Sequence, residues 1–176
     1  MVSALFPDNT VLCNFAAVHR LALLEGFFRG RGRWVEAIAA EAQRSSQQLP
    51  DLADVAAWMG EAIEISDERD SARVEIIRRD VFGGASTDPL KHLGEAQTCF
   101  LLKEKSEWRD SWWVSDDVDA LIFARQQGLV VRETIDVVMA VIQDGDLSPQ
   151  QGWDLMQDMV DHDRRLRMPR RPEDLR

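Results

Sequence analysis

Short apolar segments that favour β-strands alternate along this chain with longer segments whose apolar residues recur at helical spacing. The first strand is predicted at Val2 to Phe6, and the helix after it at Val11 to about Phe27. A second uninterrupted apolar run, Trp112 to Val114, is typical of a strand buried on both faces. We therefore predict an α/β fold, a three-layer αβα arrangement with a central, mostly parallel sheet and extra helices at the C-terminal end.

The remaining elements follow from apolar spacing, turn residues and capping residues. Further strands are predicted at residues 33–35, 62–65, 111–115 and 129–131. Helices are predicted at residues 36–43, 50–58, 66–82, 90–105, 117–127, 132–143 and 148–163. No linker divides the chain. We expect residues 1–145 to form the main domain, with a helix and an arginine-rich tail at residues 146–176 packed on it or extending from it.

Length and composition are those of one soluble globular domain. The chain has 176 residues, of which 45% are hydrophobic and 30% charged. No run approaches the roughly 18 apolar residues that a membrane span needs, and no basic segment typical of a secretory signal precedes the first strand. Cys13 and Cys99 lie among apolar residues and are expected to be buried, reduced thiols. Together these features predict a cytoplasmic protein.

The charge of the chain is strongly acidic but unevenly distributed. A formal net charge of −10 argues against simple electrostatic binding of nucleic acid. Arginines nevertheless cluster at Arg29, Arg31 and Arg33, and again between Arg164 and Arg171. Either these are solvated segments, or they form two basic rims around an acidic centre.

Acidic residues follow the predicted strands at positions where an α/β fold would bring them together. Asp8 comes directly after the first strand, and the run Asp116 to Asp119 comes after the strand at residues 111–115. The carboxyl ends of parallel strands form the crevice in which open α/β sheets bind ligands. Glu41 and Glu95, on helices between these two strands, extend the set. Converging carboxylates repel one another unless a divalent cation neutralises them, so the pattern predicts a metal site.

The same residues, in this order, resemble the PIN-domain family of metal-dependent ribonucleases. The similar pieces are Asp8-Asn9-Thr10-Val11-Leu12, Glu41, His92-Leu93-Gly94-Glu95-Ala96, Ser115-Asp116-Asp117-Val118-Asp119-Ala120, and the later Gly128 and Thr134. They span about residues 1 to 143. Two departures are visible. Pro7 removes a ladder hydrogen bond and either shifts Asp8 or ends the strand early, and two consecutive acids compete for one family position.

The resemblance implies an endoribonuclease that hydrolyses RNA with Mg²⁺ or Mn²⁺. Asp8, Glu41, Glu95 and Asp117 are the expected catalytic residues, and Thr10 is expected to hold a phosphate or a water. The metal would be held, directly or through water, by Asp8, Glu95 and Asp117, with Asp116 as the alternate for Asp117. Glu41 and Asp119 would orient metal-bound waters. The family includes toxins of toxin–antitoxin pairs, so a protein antitoxin and a homodimer are further expectations, with no membrane association.

Other interpretations of these residues remain open. Each acid, taken alone, is as well explained as a helix cap or a partner of a helix dipole. A phosphatase of the HAD type also places an Asp after its first strand, but it needs a second Asp where Thr10 stands. A PIN-like protein without activity, whose groove binds a protein partner, is the main alternative. His19, His92 and His162 are expected to be surface or packing residues.

Overall fold

The computed structural model describes residues 3–176, which form an α/β fold around a small parallel sheet. Its strands are β1 (Leu5–Pro7), β2 (Trp112–Val114) and β3 (Val130–Arg132), in the order β1-β2-β3. In both pairs the strands run parallel, with Leu5 opposite Trp112 and Trp112 opposite Val130. The coarse prediction of an α/β fold with a parallel sheet is confirmed.

The predicted strands at residues 33–35 and 62–65 are present only as isolated parallel bridges. Leu5 bridges to Gly32, and Val35 bridges to Ile63. The backbone N–H of Leu5 donates to Arg31, and the N–H of Arg33 donates back to Leu5, each at 2.9 Å. These segments therefore continue the sheet beyond β1, on the side away from β2, without forming strands of any length.

Helices of varied length cover the sheet. They are α1 (Asn9–Ala17), α2 (Leu21–Phe28), α3 (Glu36–Ser45), α4 (Ala56–Met59), α5 (Glu68–Asp80), α6 (Leu93–Glu104), α7 (Val118–Gln126), α8 (Thr134–Gln143) and α9 (Pro149–Asp161). Short 3₁₀ turns occur at Pro50–Asp54, Ser106–Trp108 and Pro172–Asp174.

Two helix predictions are wrong in detail. The helix expected from Val11 to Phe27 is interrupted between α1 and α2, because His19 adopts the left-handed conformation with φ of 55°. A left-handed residue cannot continue a right-handed helix, so the chain turns before α2 starts at Leu21. The helix expected at residues 50–58 is instead a 3₁₀ turn followed by the single turn of α4.

The sheet is buried between helices because its strands carry large apolar side chains. Successive strand residues face opposite sides of a sheet, so Trp112 and Trp113 point in opposite directions. Trp113 is fully buried and meets the ring of Phe82 edge-on at 6.5 Å. Trp112 lies on the other face, where the guanidinium of Arg132 stacks on it. This arrangement is consistent with the expected αβα layers.

The C-terminal segment folds back onto the rest of the chain. Ser148 caps α9 by accepting a hydrogen bond from the N–H of Gln151, and the N–H of Ser148 donates to the side-chain oxygen of Gln151. Past this helix, Leu175 is 0% exposed and belongs to the hydrophobic core. Arg167 donates to both carboxylate oxygens of Glu133, at 3.0 and 3.2 Å. The buried side chain of Leu175 and the bidentate ion pair of Arg167 are thus among the contacts that hold the arginine-rich tail.

Within residues 3–176, no helix combines the length and the apolar character required to cross a bilayer.

Candidate functional site

The carboxyl ends of β1 and β2 lie side by side where the order of the sheet changes direction. From β1 the chain first builds the sheet outward through Gly32 and then Ile63, and only later adds β2 and β3 on the other side of β1. Open α/β sheets bind ligands at such a switch point, outside the carboxyl ends of the strands. Pro7 is the last residue of β1, and the N–H of Asp8 donates to the carbonyl of Val114 at 2.8 Å.

Asp8 joins both strand ends to the first helix. Its side chain is only 5% exposed. One carboxylate oxygen accepts from the backbone N–H of Asn9 at 2.7 Å and caps α1. The other accepts from the hydroxyls of Thr10 at 2.7 Å and Ser115 at 3.2 Å. The expected role of Asp8 as a cap is therefore real, and it coexists with a position at the switch point.

Glu41 and Glu95 come together because a glycine allows their helices to approach closely. A Cβ added at Gly94 would collide with the side chain of Ile38 and would lie 3.3 Å from a carboxylate oxygen of Glu41. Glu41 on α3 therefore reaches the first turn of α6, where Glu95 follows Gly94 directly. A carboxylate oxygen of Glu95 lies 3.1 Å from Nδ1 of His92.

The proximity of these carboxylates changes their acidity. Burial, reinforced by the charge of Glu95, raises the pKa of Asp8 from its ordinary 3.8 to about 6, against the hydrogen bonds that it accepts. Burial and then the charges of Asp8 and Glu95 raise the pKa of Glu41 from 4.5 to about 7, although Arg44 opposes the change. Buried acids that repel one another in this way form the electrostatic setting in which a bound cation is stabilising.

Asp116 points into a separate polar network between α1, α8 and the tail. It accepts hydrogen bonds from the side-chain amide of Asn14 at 2.8 Å, and from both the N–H and the hydroxyl of Thr134. Arg164 donates to the other side of the Asn14 amide at 3.2 Å. Burial raises the pKa of Asp116, and the charge of Glu133 adds to this effect while the hydrogen bonds from Thr134 and Asn14 oppose it.

Asp117 and Asp119 face a different space from the carboxylates of Asp8, Glu41 and Glu95. Asp117 caps α7 by accepting from the N–H of Ala120 at 2.7 Å, and its own N–H donates to the hydroxyl of Ser115. Both acids line a cavity of about 330 Å³, whose wall also contains His92 and Phe82. His92 connects this cavity to Glu95.

The predicted site residues thus fall into three neighbouring groups around the strand ends. Asp8, Glu41 and Glu95 are electrostatically coupled, Asp116 is occupied by hydrogen bonds, and Asp117 and Asp119 line the adjoining cavity. Within residues 3–176, no three Asp, Glu, His or Cys side chains are grouped as a metal site. The coupled carboxylates of Asp8, Glu41 and Glu95 are the side chains whose chemistry best fits a divalent cation, because oxygen ligands suit Mg²⁺ and Mn²⁺.

Sequence reasoning missed several polar partners of these acids. Asn14 is buried and connects Asp116 to Arg164, and its spacing of four residues from Thr10 on α1 was the available signal. His92 was expected to be a surface or packing residue, and it packs against Phe82, but its contact with Glu95 was not predicted. It adopts a left-handed conformation with φ of 61°, which spacing alone does not indicate.

Comparison of the chain with protein-family models, curated proteins and solved structures gives no match.

Proposed function

We propose that this protein is a PIN-like endoribonuclease that hydrolyses RNA phosphodiester bonds with Mg²⁺ or Mn²⁺. The observation that carries the proposal is the convergence of Asp8, Glu41 and Glu95 at the switch point of a parallel sheet, with Asp8 buried and Glu41 reaching the first turn of α6. Asp8 directly after β1, together with Glu41 of α3 and Glu95 of α6, lies near the position where open α/β sheets bind their ligands. The order of the bridged segments around β1 is that of an open α/β sheet, which the PIN-like proposal requires.

Some side chains of the site would hold the metal, and others would position the RNA. Asp8 and Glu95 would hold the cation directly, and Asp117, which faces the adjoining cavity, would hold it through a bound water. The cation would supply an activated water and stabilise charge on the phosphate. Glu41, whose pKa of about 7 keeps it partly protonated near neutrality, is suited to exchanging a proton with water. Thr10 and Ser115 orient the carboxylate of Asp8 through their hydroxyls. Arg164, next to Asn14, would attract phosphate to the rim of the site.

The biological setting belongs to the same proposal. A toxin of this kind would act on RNA in the cytoplasm and would be inhibited by a protein antitoxin. A homodimer would be its expected assembly. Each of these rests on the resemblance of the motifs around Asp8, Glu95 and Asp117, and each fails with the ribonuclease proposal if purified protein cleaves no RNA.

Cleavage of a single-stranded RNA pool by purified protein is the direct test. We expect cleavage with Mg²⁺ or Mn²⁺, loss of cleavage in EDTA, and no rescue by Ca²⁺, whose looser coordination does not align an attacking water. The Asp8→Asn and Asp117→Asn variants should be inactive. Asp54→Asn removes the same charge from an exposed position in the turn at residues 50–54 and should retain full activity.

A second candidate, a catalytically silent protein that binds a protein partner, is favoured by the structural roles of two acids. Asp8 and Asp117 cap helices. The neighbouring helix α7 also exposes an apolar pair, Val118 at 66% and Ile122 at 50%, four residues apart on one face. If the protein binds Mn²⁺ but cleaves no RNA pool, this second candidate replaces the first.

A further inference from the structure

A second cavity lies on the opposite face of the sheet from Trp113, between α2 and α8. It has a volume of about 450 Å³, within the range of small-molecule sites. Its walls combine two aromatic rings, Phe27 and Trp112, with three arginines, Arg29, Arg31 and Arg132. None of the acids predicted from the sequence as site residues lines it.

The arginines of this cavity differ in whether their charge is balanced. Arg29 is paired with Asp144 at 2.7 Å. Arg31 donates to the carbonyl of Phe28 at 3.4 Å, and Arg132 donates to the carbonyl of Val131 at 3.0 Å. Within residues 3–176, neither Arg31 nor Arg132 forms an ion pair with a carboxylate.

Two carboxylates line the cavity: Asp144, which pairs with Arg29, and Asp136, which is engaged in a helix cap. Asp136 accepts from the backbone N–H of Glu133 at 2.8 Å and thereby closes the capping box of α8. With three arginines and two aspartates in its wall, the cavity carries a net positive charge in a chain of net charge −10, and it is suited to an anionic ligand.

The aromatic wall selects among anions. The guanidinium of Arg132 lies 4.3 Å from the centre of the Trp112 ring, so the two groups stack. An aromatic ring and a guanidinium plane are both surfaces on which a nucleobase stacks. A simple inorganic anion would leave this apolar wall unused, and an uncharged aromatic molecule would leave Arg31 unpaired.

We infer that this cavity binds a nucleoside phosphate, with its base against Trp112 and Phe27 and its phosphate between Arg31 and Arg132. The ligand is either a free nucleotide or one nucleotide of an RNA strand, because both present the same base and phosphate. The site needs no metal and none of the acids at the carboxyl ends of β1 and β2. It goes beyond the proposed ribonuclease activity.

Isothermal titration calorimetry in EDTA with adenosine 5′-monophosphate, adenosine and inorganic phosphate tests the inference. The nucleotide should bind, and adenosine and phosphate should each bind at least about tenfold more weakly, since each loses one of the two recognised parts. Arg31→Gln and Arg132→Gln should each weaken nucleotide binding by about tenfold or more, as expected for the loss of a charge-assisted hydrogen bond. Arg79→Gln, an exposed charge on α5, should bind like the parent.

Each alternative outcome overturns a stated part of the inference. If Arg31→Gln binds the nucleotide as strongly as Arg79→Gln does, Arg31 does not hold the phosphate and the proposed phosphate site is wrong. Phosphate that binds as tightly as the nucleotide reduces the cavity to a general anion site. No heat with any of the three ligands or with a hexaribonucleotide at millimolar concentration removes the site altogether. If Arg132→Gln fails to fold because Trp112 loses its stacking partner, Arg31→Gln carries the test alone.

The same titrations distinguish a free nucleotide from an RNA strand as the ligand, and they distinguish the nucleotide-site proposal from the ribonuclease proposal. A hexaribonucleotide that binds more than tenfold tighter than the mononucleotide identifies a strand as the ligand, and equal affinity identifies the free nucleotide. The Asp8→Asn variant should bind nucleotide like the parent, because Asp8 does not line the cavity. Lost cleavage with intact nucleotide binding, or the reverse, shows which of the two proposals has failed.

Discussion

Replacement of Asp8 by Asn should make the protein more stable at pH 8 and should abolish most of its response to metal. Asp8 is buried and repelled by Glu95, which raises its pKa from 3.8 to about 6. Because the folded state binds this proton more tightly than the unfolded state, the contribution to stability is fully present below about pH 4. It is lost as the pH rises through about 6.

The size of the effect follows from the same pKa values. A rise from 3.8 to about 6 means that ionised Asp8 costs the folded state about 3 kcal/mol at pH 8. Asparagine keeps an oxygen for the cap of α1, but its weaker hydrogen bonds with Asn9, Thr10 and Ser115 should cost about 1–2 kcal/mol. A net gain of about 1–2 kcal/mol is therefore expected at pH 8, and none at pH 5, where folded Asp8 is largely protonated.

Urea unfolding of the parent, Asp8→Asn and Asp54→Asn at pH 5, 6.5 and 8 measures this difference. Added Mn²⁺ at ~100 times its Kd should stabilise the parent and Asp54→Asn by about 2.7 kcal/mol, and Asp8→Asn by much less. An Asp8→Asn variant that is less stable than the parent at pH 8 would show that the capping hydrogen bonds of Asp8 stabilise the folded state more than its buried charge destabilises it. Equal Mn²⁺ stabilisation of the parent and Asp8→Asn would falsify the metal site at Asp8.

Three further predictions, two on packing and one on a helix cap, can be tested by thermal or chemical unfolding. Gly94→Ala should destabilise the protein by about 1–3 kcal/mol and reduce its Mn²⁺ response, because the added methyl group collides with Ile38 beside Glu41. Gly26→Ala has open space around its Cβ within α2 and serves as the control, with an expected gain of up to about 1 kcal/mol. Leu175→Ala should cost about 2–5 kcal/mol if the tail packs as described, whereas a loss below 0.5 kcal/mol would contradict its burial. Ser148→Ala should cost about 1 kcal/mol through the lost cap of α9, and an unchanged urea midpoint would show that the cap contributes little.

The strands β2 and β3 were predictable because each contains or overlaps an apolar run, whereas the short outer segments were predicted as full strands and form only single bridges. The predictions at residues 111–115 and 129–131 contain β2 and lie within one residue of β3. The segments at Arg33 and Ala62 border exposed, polar chain. One bridge joins Gly32 to β1 and another joins Ile63 to Val35, and sequence periodicity cannot distinguish such single bridges from a full strand. The break at His19 depends on a single left-handed residue and carries no pattern at all.

The sequence predicts that the acids of the site lie near the strand ends, but it does not predict which of them are neighbours. Their places after strands and on facing helices follow from the alternation of elements, which is a property of chain order. Which acid meets which neighbour depends instead on close approach, such as that of α3 and α6 at Gly94.

The residues that meet in the cavity at Trp112 were also only partly predictable from the sequence. Arg29 and Arg31 were visible as a basic cluster, but their partners come from strands far along the chain. Trp112 lies opposite Val130, so Arg132 is two residues further along the neighbouring strand and on the same face of the sheet. A long side chain at that position reaches back over the Trp112 ring. The register of β2 against β3 arises only when the sheet forms. It is this register that brings Arg132 onto the ring of Trp112, and the stacked pair then forms one wall of the cavity.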